Sequence, residues 1–120
     1  MFFRFRNLLS VVIVAGAFAT LALAHNKLMK TEPADGVMLK TAPAHIELWF
    51  AEKPDAALSK ISLKGPNGAV ETGATRGTDK SLISDVKSKL ADGKYTVNWQ
   101  TSGDDGHVSK GEFGFSVQAH

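Results

Sequence analysis

Several segments of the chain alternate between apolar and polar residues, and this period of two is the feature that most constrains the fold. In the clearest of them, Ile46, Leu48 and Phe50 occupy every second position. Successive side chains of a β-strand point to opposite sides, so such a segment has one buried and one hydrated face. The same pattern recurs in three further segments, at 60–64, 95–100 and 113–117.

Turn-forming residues separate these segments, at 33–36, 65–68 and 91–93. The sequence Pro66-Asn67-Gly68 predicts a hairpin between the strands that contain Ile61 and Val70. We expect shorter strands at 27–31, 69–71 and 81–85, an exposed loop at 72–80, and no helix longer than about a turn. About seven short strands at this spacing predict an all-β, antiparallel sandwich of the immunoglobulin-like kind.

The first 24 residues have the character of a secretory signal peptide. Arg4 and Arg6 precede a mostly apolar stretch at 8–23, and the small-residue triplet Ala22-Leu23-Ala24 fits a signal-peptidase site. An uncleaved membrane anchor is the less favoured alternative, because a spanning helix needs roughly 20 apolar residues. We therefore predict a cleaved leader at 1–24 and an exported domain at 25–120 that is not membrane-bound.

Composition excludes several classes of function. The chain has 14 Lys and Arg and 12 Asp and Glu, and because the two leader arginines are removed, the exported part carries 12 charges of each sign. No basic run interleaved with aromatic residues remains, so we expect no nucleic-acid partner. The chain has no cysteine, which rules out disulfides, thiolate metal sites and cysteine nucleophiles.

Cleavage after Ala24 would make His25 the first residue of the exported protein. The free α-amine and the ring Nδ1 of a terminal histidine can close a chelate ring on one metal ion. Asp105 and His107 offer two further donors, and in an extended segment they would point to the same side. Three nitrogens and one carboxylate oxygen in a square arrangement suit Cu(II). Taken alone, Asp-Gly-His is usually a turn, so the prediction depends on the combination.

The exported part resembles the CopC family of periplasmic copper-resistance proteins over nearly its whole length. The resemblance lies in six motifs, at 25–28, 32–36, 42–52, 93–99, 105–107 and 111–115. It implies a Greek-key β-sandwich that holds Cu(II) through the N-terminal histidine and through the late Asp and His. In some members a Glu after the early strand joins them. These roles fall on His25, Asp105, His107 and Glu52. Glu52 is equally compatible with a solvated strand end.

Some members of that family carry a second site, for Cu(I), built from a methionine-rich loop and a histidine. The exported part of this chain has only Met29 and Met38, and Trp49 stands where such members can have histidine. Soft thioether ligands select Cu(I), so we expect no Cu(I) site. Of the other histidines, His45 is expected at the surface and His120 is expected to be frayed.

We therefore expect a monomeric periplasmic protein that carries or buffers Cu(II), and not an enzyme. Its partners would be the copper ion and, by resemblance, a membrane copper transporter or another periplasmic copper protein. Two alternatives stay open. One is a copper-dependent oxidative enzyme, because polysaccharide oxygenases also bind copper through an N-terminal histidine on a β-sandwich. The other is a metal-free structural module.

Overall fold

The structure, a computed structural model, describes residues 26–102 and 106–120. Within these ranges the chain forms nine β-strands and a single turn of 3-10 helix at Ala56–Leu58. The strands are β1 (Leu28–Glu32), β2 (Met38–Leu39), β3 (His45–Phe50), β4 (Lys60–Gly65), β5 (Gly68–Val70), β6 (Arg76–Thr78), β7 (Ser81–Asp85), β8 (Gly93–Ser102) and β9 (Val108–Val117).

These strands form two sheets, as the sequence predicts for a sandwich. One sheet has the order β1-β3-β7-β6 and the other β2-β9-β8-β4-β5. All pairs of neighbouring strands are antiparallel except β2 and β9, which run parallel and so depart from the expected antiparallel arrangement. The chain changes sheet between β1 and β2 and again between β2 and β3. These crossings are consistent with the predicted immunoglobulin-like Greek-key fold.

The core lies between the sheets and consists of the apolar residues of the alternating segments. Ile46, Leu48 and Phe50 are at most 2% exposed. The rings of Phe50 and Trp99 meet edge to face at 5.4 Å between centroids and so join the two sheets. Burial of apolar surface contributes about 25 cal/mol per Å², and it stabilises this cysteine-free fold. The other core residues are Ile61, Leu63, Leu82, Leu90, Tyr95, Val97, Phe113, Phe115 and Val117.

All the strands that the sequence predicts are present, and the turn at Pro66-Asn67 closes the predicted β4–β5 hairpin, where Gly65 pairs with Gly68. The structure adds β2 and β6, which gives nine strands instead of about seven. β6 lies inside the segment 72–80 that we expected to be a loop. Its three residues are all exposed. An edge strand without a buried face leaves no alternating pattern in the sequence.

Tyr95 fixes the end of the sandwich at which β8 begins. Its hydroxyl donates to the carbonyl of Ala91, four residues upstream, and its ring stacks on Phe115 at 5.4 Å between centroids. Burial raises the pKa of the Tyr95 hydroxyl. The ring also lies where a side chain at Gly65 would be, so that position accepts only glycine without displacing the tyrosine. Immunoglobulin-like sandwiches often contain such a tyrosine corner.

Within residues 26–102 and 106–120 the structure has no helix that is both long and apolar enough to cross a membrane. The apolar stretch at 8–23 and the junction after Ala24 lie outside the described residues. The cleaved leader and the domain boundary at residue 25 therefore stay predictions.

Candidate metal site

The beginning of the described chain is fastened to the segment that follows β3. The backbone N–H of Glu52 donates to Oδ1 of Asn26 at 2.9 Å, and Nδ2 of Asn26 donates to the carbonyl of Glu52 at 2.8 Å. One residue earlier, the N–H of Ala51 donates to the carbonyl of Lys27 at 2.8 Å. Three hydrogen bonds thus hold residues 26 and 27 against the chain at 51–52.

The same segment is fastened on its other side to the end of β8. The N–H of Asp55 donates to the carbonyl of Ser102 at 3.0 Å. Ser59 strengthens this junction, because its Oγ donates to the carbonyl of Asp55 at 2.6 Å and lies 2.8 Å from Oγ1 of Thr101. We call residues 51–55 the crossbar, since they bind to the start of the chain at one end and to β8 at the other.

The crossbar brings two distant parts of the sequence to one end of the sandwich. Asn26 directly follows His25, and Ser102 directly precedes the loop 103–107, which contains Asp105 and His107. The bonded residues of the crossbar, Glu52 and Asp55, are three positions apart, and a chain of that length spans at most about 11 Å. Asn26 and Ser102, the described residues that border on His25 and on the loop 103–107, therefore lie in one region with Glu52.

His107 stands at the base of that loop. It is exposed and immediately precedes β9, whose first residue, Val108, pairs with Ser102 of β8. Gly106 has φ of +80°, in the left-handed region that glycine adopts without strain. The backbone is therefore not extended at Gly106, which was the condition for Asp105 and His107 to point to the same side. Asp105 lies outside the described residues, so its placement relative to His107 stays a prediction.

Of the four predicted ligands, the structure describes two. Glu52 and His107 are both exposed and both lie at this end of the sandwich, whereas His25 and Asp105 lie outside the described residues. Within the described ranges, no three His, Asp or Glu side chains gather closely enough to hold a metal ion. The described residues place Glu52 and His107 at one end of the sandwich, and the metal site made of His25, Asp105, His107 and Glu52 stays a prediction.

The remaining described histidines lie elsewhere. His45 is exposed and begins β3, whereas the crossbar follows the last residue of that strand. The length of β3, about 17 Å, therefore separates His45 from the crossbar end. It pairs with Asp85, whose pKa is lowered chiefly by its hydrogen bond to Arg76, with Nη1 to Oδ2 at 2.9 Å.

His120 lies near the start of β8, and that ten-residue strand separates it from Ser102 by about 30 Å. The expectation that it is frayed is wrong. The carboxylate of Asp92 accepts from the backbone N–H of Ala119 at 2.9 Å and of His120 at 3.1 Å, and it lies 3.2 Å from the His120 ring Nδ1. The bond from Ala119 is the main cause of a lowered Asp92 pKa.

Sequence reasoning missed the residues that assemble this end. Asn26 bonds backbone groups of Glu52 through its side chain, and Asp55 and Ser102 bond each other through their main chains. A sequence does not encode which distant backbone groups come within reach of such bonds. The one available signal was the position of Asn26 directly after the predicted N-terminus.

Among aromatic residues, Trp99 is a core packing residue, and Trp49 lies on the outer face with the Lys30 ammonium 4.8 Å from its ring centroid.

The fold and this end of it define a class of protein: a small cysteine-free β-sandwich in which one segment, the crossbar, is bonded both to Asn26, just before β1, and to Ser102, at the end of β8. The chain belongs to the CopC family, whose domain matches residues 28–118. It is 34% identical over 127 aligned positions to Copper resistance protein C of Xanthomonas campestris pv. juglandis, an alignment that covers 97% of this chain and 99% of the relative. The resemblance found in the sequence is thereby confirmed.

Solved structures support the same assignment. CopC from Methylosinus trichosporium OB3b superposes with a TM-score of 0.72 at 26% identity, over 78% of this chain and 94% of the other. PcoC, a methionine-rich copper resistance protein from Escherichia coli, also gives a TM-score of 0.72 at 26% identity, over 79% of this chain and all of PcoC.

Proposed function

We propose that this protein binds one Cu(II) ion at the crossbar end and carries or buffers it outside the cytoplasm as part of copper resistance. The observation that carries the proposal is the pair of attachments of the crossbar, which brings the residue after His25 and the residue before the loop 103–107 to one place. Membership of the CopC family, together with the similarity to Copper resistance protein C, supports copper as the metal.

The proposed ligands are the α-amine and ring of His25, the ring of His107 and the carboxylate of Asp105, with Glu52 as a weaker neighbour. Nitrogen and oxygen donors of this kind suit the square geometry that Cu(II) prefers. Four protein donors in one plane would leave little room for a substrate. We therefore favour storage and transfer of the ion over catalysis, which needs an open position on the metal.

The distribution of methionine supports Cu(II) over Cu(I). PcoC is described as methionine-rich, whereas the exported part of this chain has only Met29 and Met38. These two are 60% and 55% exposed and lie on β1 and β2, which belong to different sheets. A thioether site for Cu(I) needs such side chains to converge, and these two residues start from separate sheets.

The test is a titration of the exported protein with Cu(II) in competition with a chromophoric chelator. We expect one tightly bound equivalent. Ascorbate and a Cu(I)-specific chelator should then strip the ion without air, and ascorbate oxidation in air should run no faster than with the same amount of free copper. No tight binding would favour a metal-free module, fast oxygen uptake would favour an oxidative enzyme, and Cu(I) retained against the chelator would contradict the preference for Cu(II).

A further inference from the structure

The side-chain amide of Asn26 makes the pair of hydrogen bonds that the backbone of a β-strand residue normally makes. Its Oδ1 accepts from the N–H of Glu52 and its Nδ2 donates to the carbonyl of the same residue, at 2.9 Å and 2.8 Å. Two residues of antiparallel strands exchange the same two bonds through their main chains. The asparagine therefore adds one step to the hydrogen bonds between the start of the chain and the segment after β3, beyond the bond from Ala51 to Lys27.

The two bonds anchor the chain one residue after the predicted N-terminus. Both backbone groups of Glu52 are bonded to the side-chain amide of Asn26. If cleavage follows Ala24, Asn26 is the second residue of the exported protein and directly follows the histidine whose α-amine and ring are proposed to bind copper.

We propose that Asn26 is a positioning residue for copper binding: it holds the α-amine and ring of His25 beside the loop 103–107 through its two bonds to Glu52. The inference rests on the proposed function. The anchor is continuous with the rest of the site, because the crossbar that accepts Asn26 is tied three residues later to Ser102, at the base of the loop. Asn26 itself is not proposed as a copper ligand.

Asparagine is well matched to this task. Its short amide offers a carbonyl acceptor and an NH₂ donor group in a fixed plane, which fit the N–H and carbonyl of one residue. Aspartate keeps the acceptor and loses the donor, and alanine loses both. Residues that orient a metal ligand typically change affinity by about tenfold to a hundredfold when they are replaced. We expect a loss in that range for Asn26→Ala and a smaller loss for Asn26→Asp.

The test is a cycle of four proteins. Asn26→Ala is made in the exported chain that begins at His25, and again in a chain with one extra glycine before His25, which removes the free α-amine from that residue. Cu(II) affinity is measured by competition with a chelator, and the copper environment by electron paramagnetic resonance. We expect Asn26→Ala to weaken binding by about tenfold or more in the first background and by less than about twofold in the second. The spectrum should change in the first background only.

An equal loss of affinity in both backgrounds would overturn the inference, since a general structural effect does not depend on the α-amine. Asn98→Ala is the matched control, because Asn98 is an exposed asparagine on β8, and it should bind Cu(II) as the parent does. His107→Ala separates the two proposals. If it leaves Cu(II) affinity unchanged, the proposed function fails. If it weakens binding while Asn26→Ala and Asn26→Asp do not, only the positioning role fails.

Discussion

At the scale of single residues, copper binding is expected to depend on side chains that lie near the two attachments of the crossbar. His107 is exposed at the base of the β8–β9 loop, and Glu52 is exposed on the crossbar. Their importance to copper should differ, because imidazole is the better ligand for Cu(II) and Glu52 is proposed only as a neighbour. The difference makes a graded set of variants more informative than any single one.

We expect His107→Ala to weaken Cu(II) binding by about a hundredfold, or about 2.7 kcal/mol. Asp105→Ala should cost less and Glu52→Ala least. The measurement is competition with a chelator at constant pH. His45→Ala and His120→Ala are the controls, and both should bind as the parent does, because these histidines lie about 17 Å and 30 Å of strand away from the crossbar end. A loss at either control as large as that at His107 would show that the wrong histidines were chosen.

The limits of prediction from sequence are clear at this scale. His25, Asp105 and His107 could be proposed from donor chemistry and spacing alone. The bridge from Asn26 to Glu52 could not, because its partners are backbone atoms brought close by the pairing of β1 with β3. The geometry at Gly106 was also out of reach, since a glycine in a short loop can adopt either sign of φ.

At the scale of elements, the alternation of apolar and polar residues was sufficient to predict every strand that has one buried face. β3, β8 and β9 carry most of the core and were all predicted from their period of two. β6 has no buried residue, and β2 has only two residues. Both are strands because they pair with a neighbouring strand, β9 for β2 and β7 for β6. Neither has an alternating pattern of its own, which is why sequence reasoning missed them.

The tail after β9 is an element whose stability should depend on pH. Backbone N–H groups of Ala119 and His120 hold the pKa of Asp92 below its ordinary value. A carboxyl with a depressed pKa in the folded state contributes stability above its unfolded pKa of about 3.9, and that contribution is lost as pH falls through the folded value. We expect the urea midpoint of the metal-free protein to fall more steeply below about pH 4 in the parent than in Asp92→Asn.

The matched control for that experiment is Asp79→Asn, which changes an exposed carboxylate in the turn between β6 and β7. This variant should keep the acid dependence of the parent. Parallel curves for the parent and Asp92→Asn would mean that the bonds to the tail contribute nothing to stability. The prediction is independent of copper, because Asp92 lies at the opposite end of β8 from Ser102.

At the scale of the whole molecule, the sandwich brings Asn26 and Ser102, which are far apart in the sequence, to the same end of the fold. The core of apolar residues between the sheets sets the positions of β3 and β8. The crossbar, which follows β3, then bonds Asn26 through Glu52 and bonds Ser102 through Asp55. The fold class and the family were accessible from alternation and motifs. The meeting of these segments required the structure, because it depends on which strands neighbour each other across two sheets.

The most direct test of the central claim is anomalous diffraction at the copper edge from crystals of the exported, Cu(II)-loaded protein, with the first residue established by mass spectrometry. We expect a chain that begins at His25 and one copper peak beside the crossbar, bonded to the α-amine and ring of His25, the ring of His107 and the carboxylate of Asp105. A peak elsewhere, or a chain that begins at another residue and still binds copper as tightly, would contradict it.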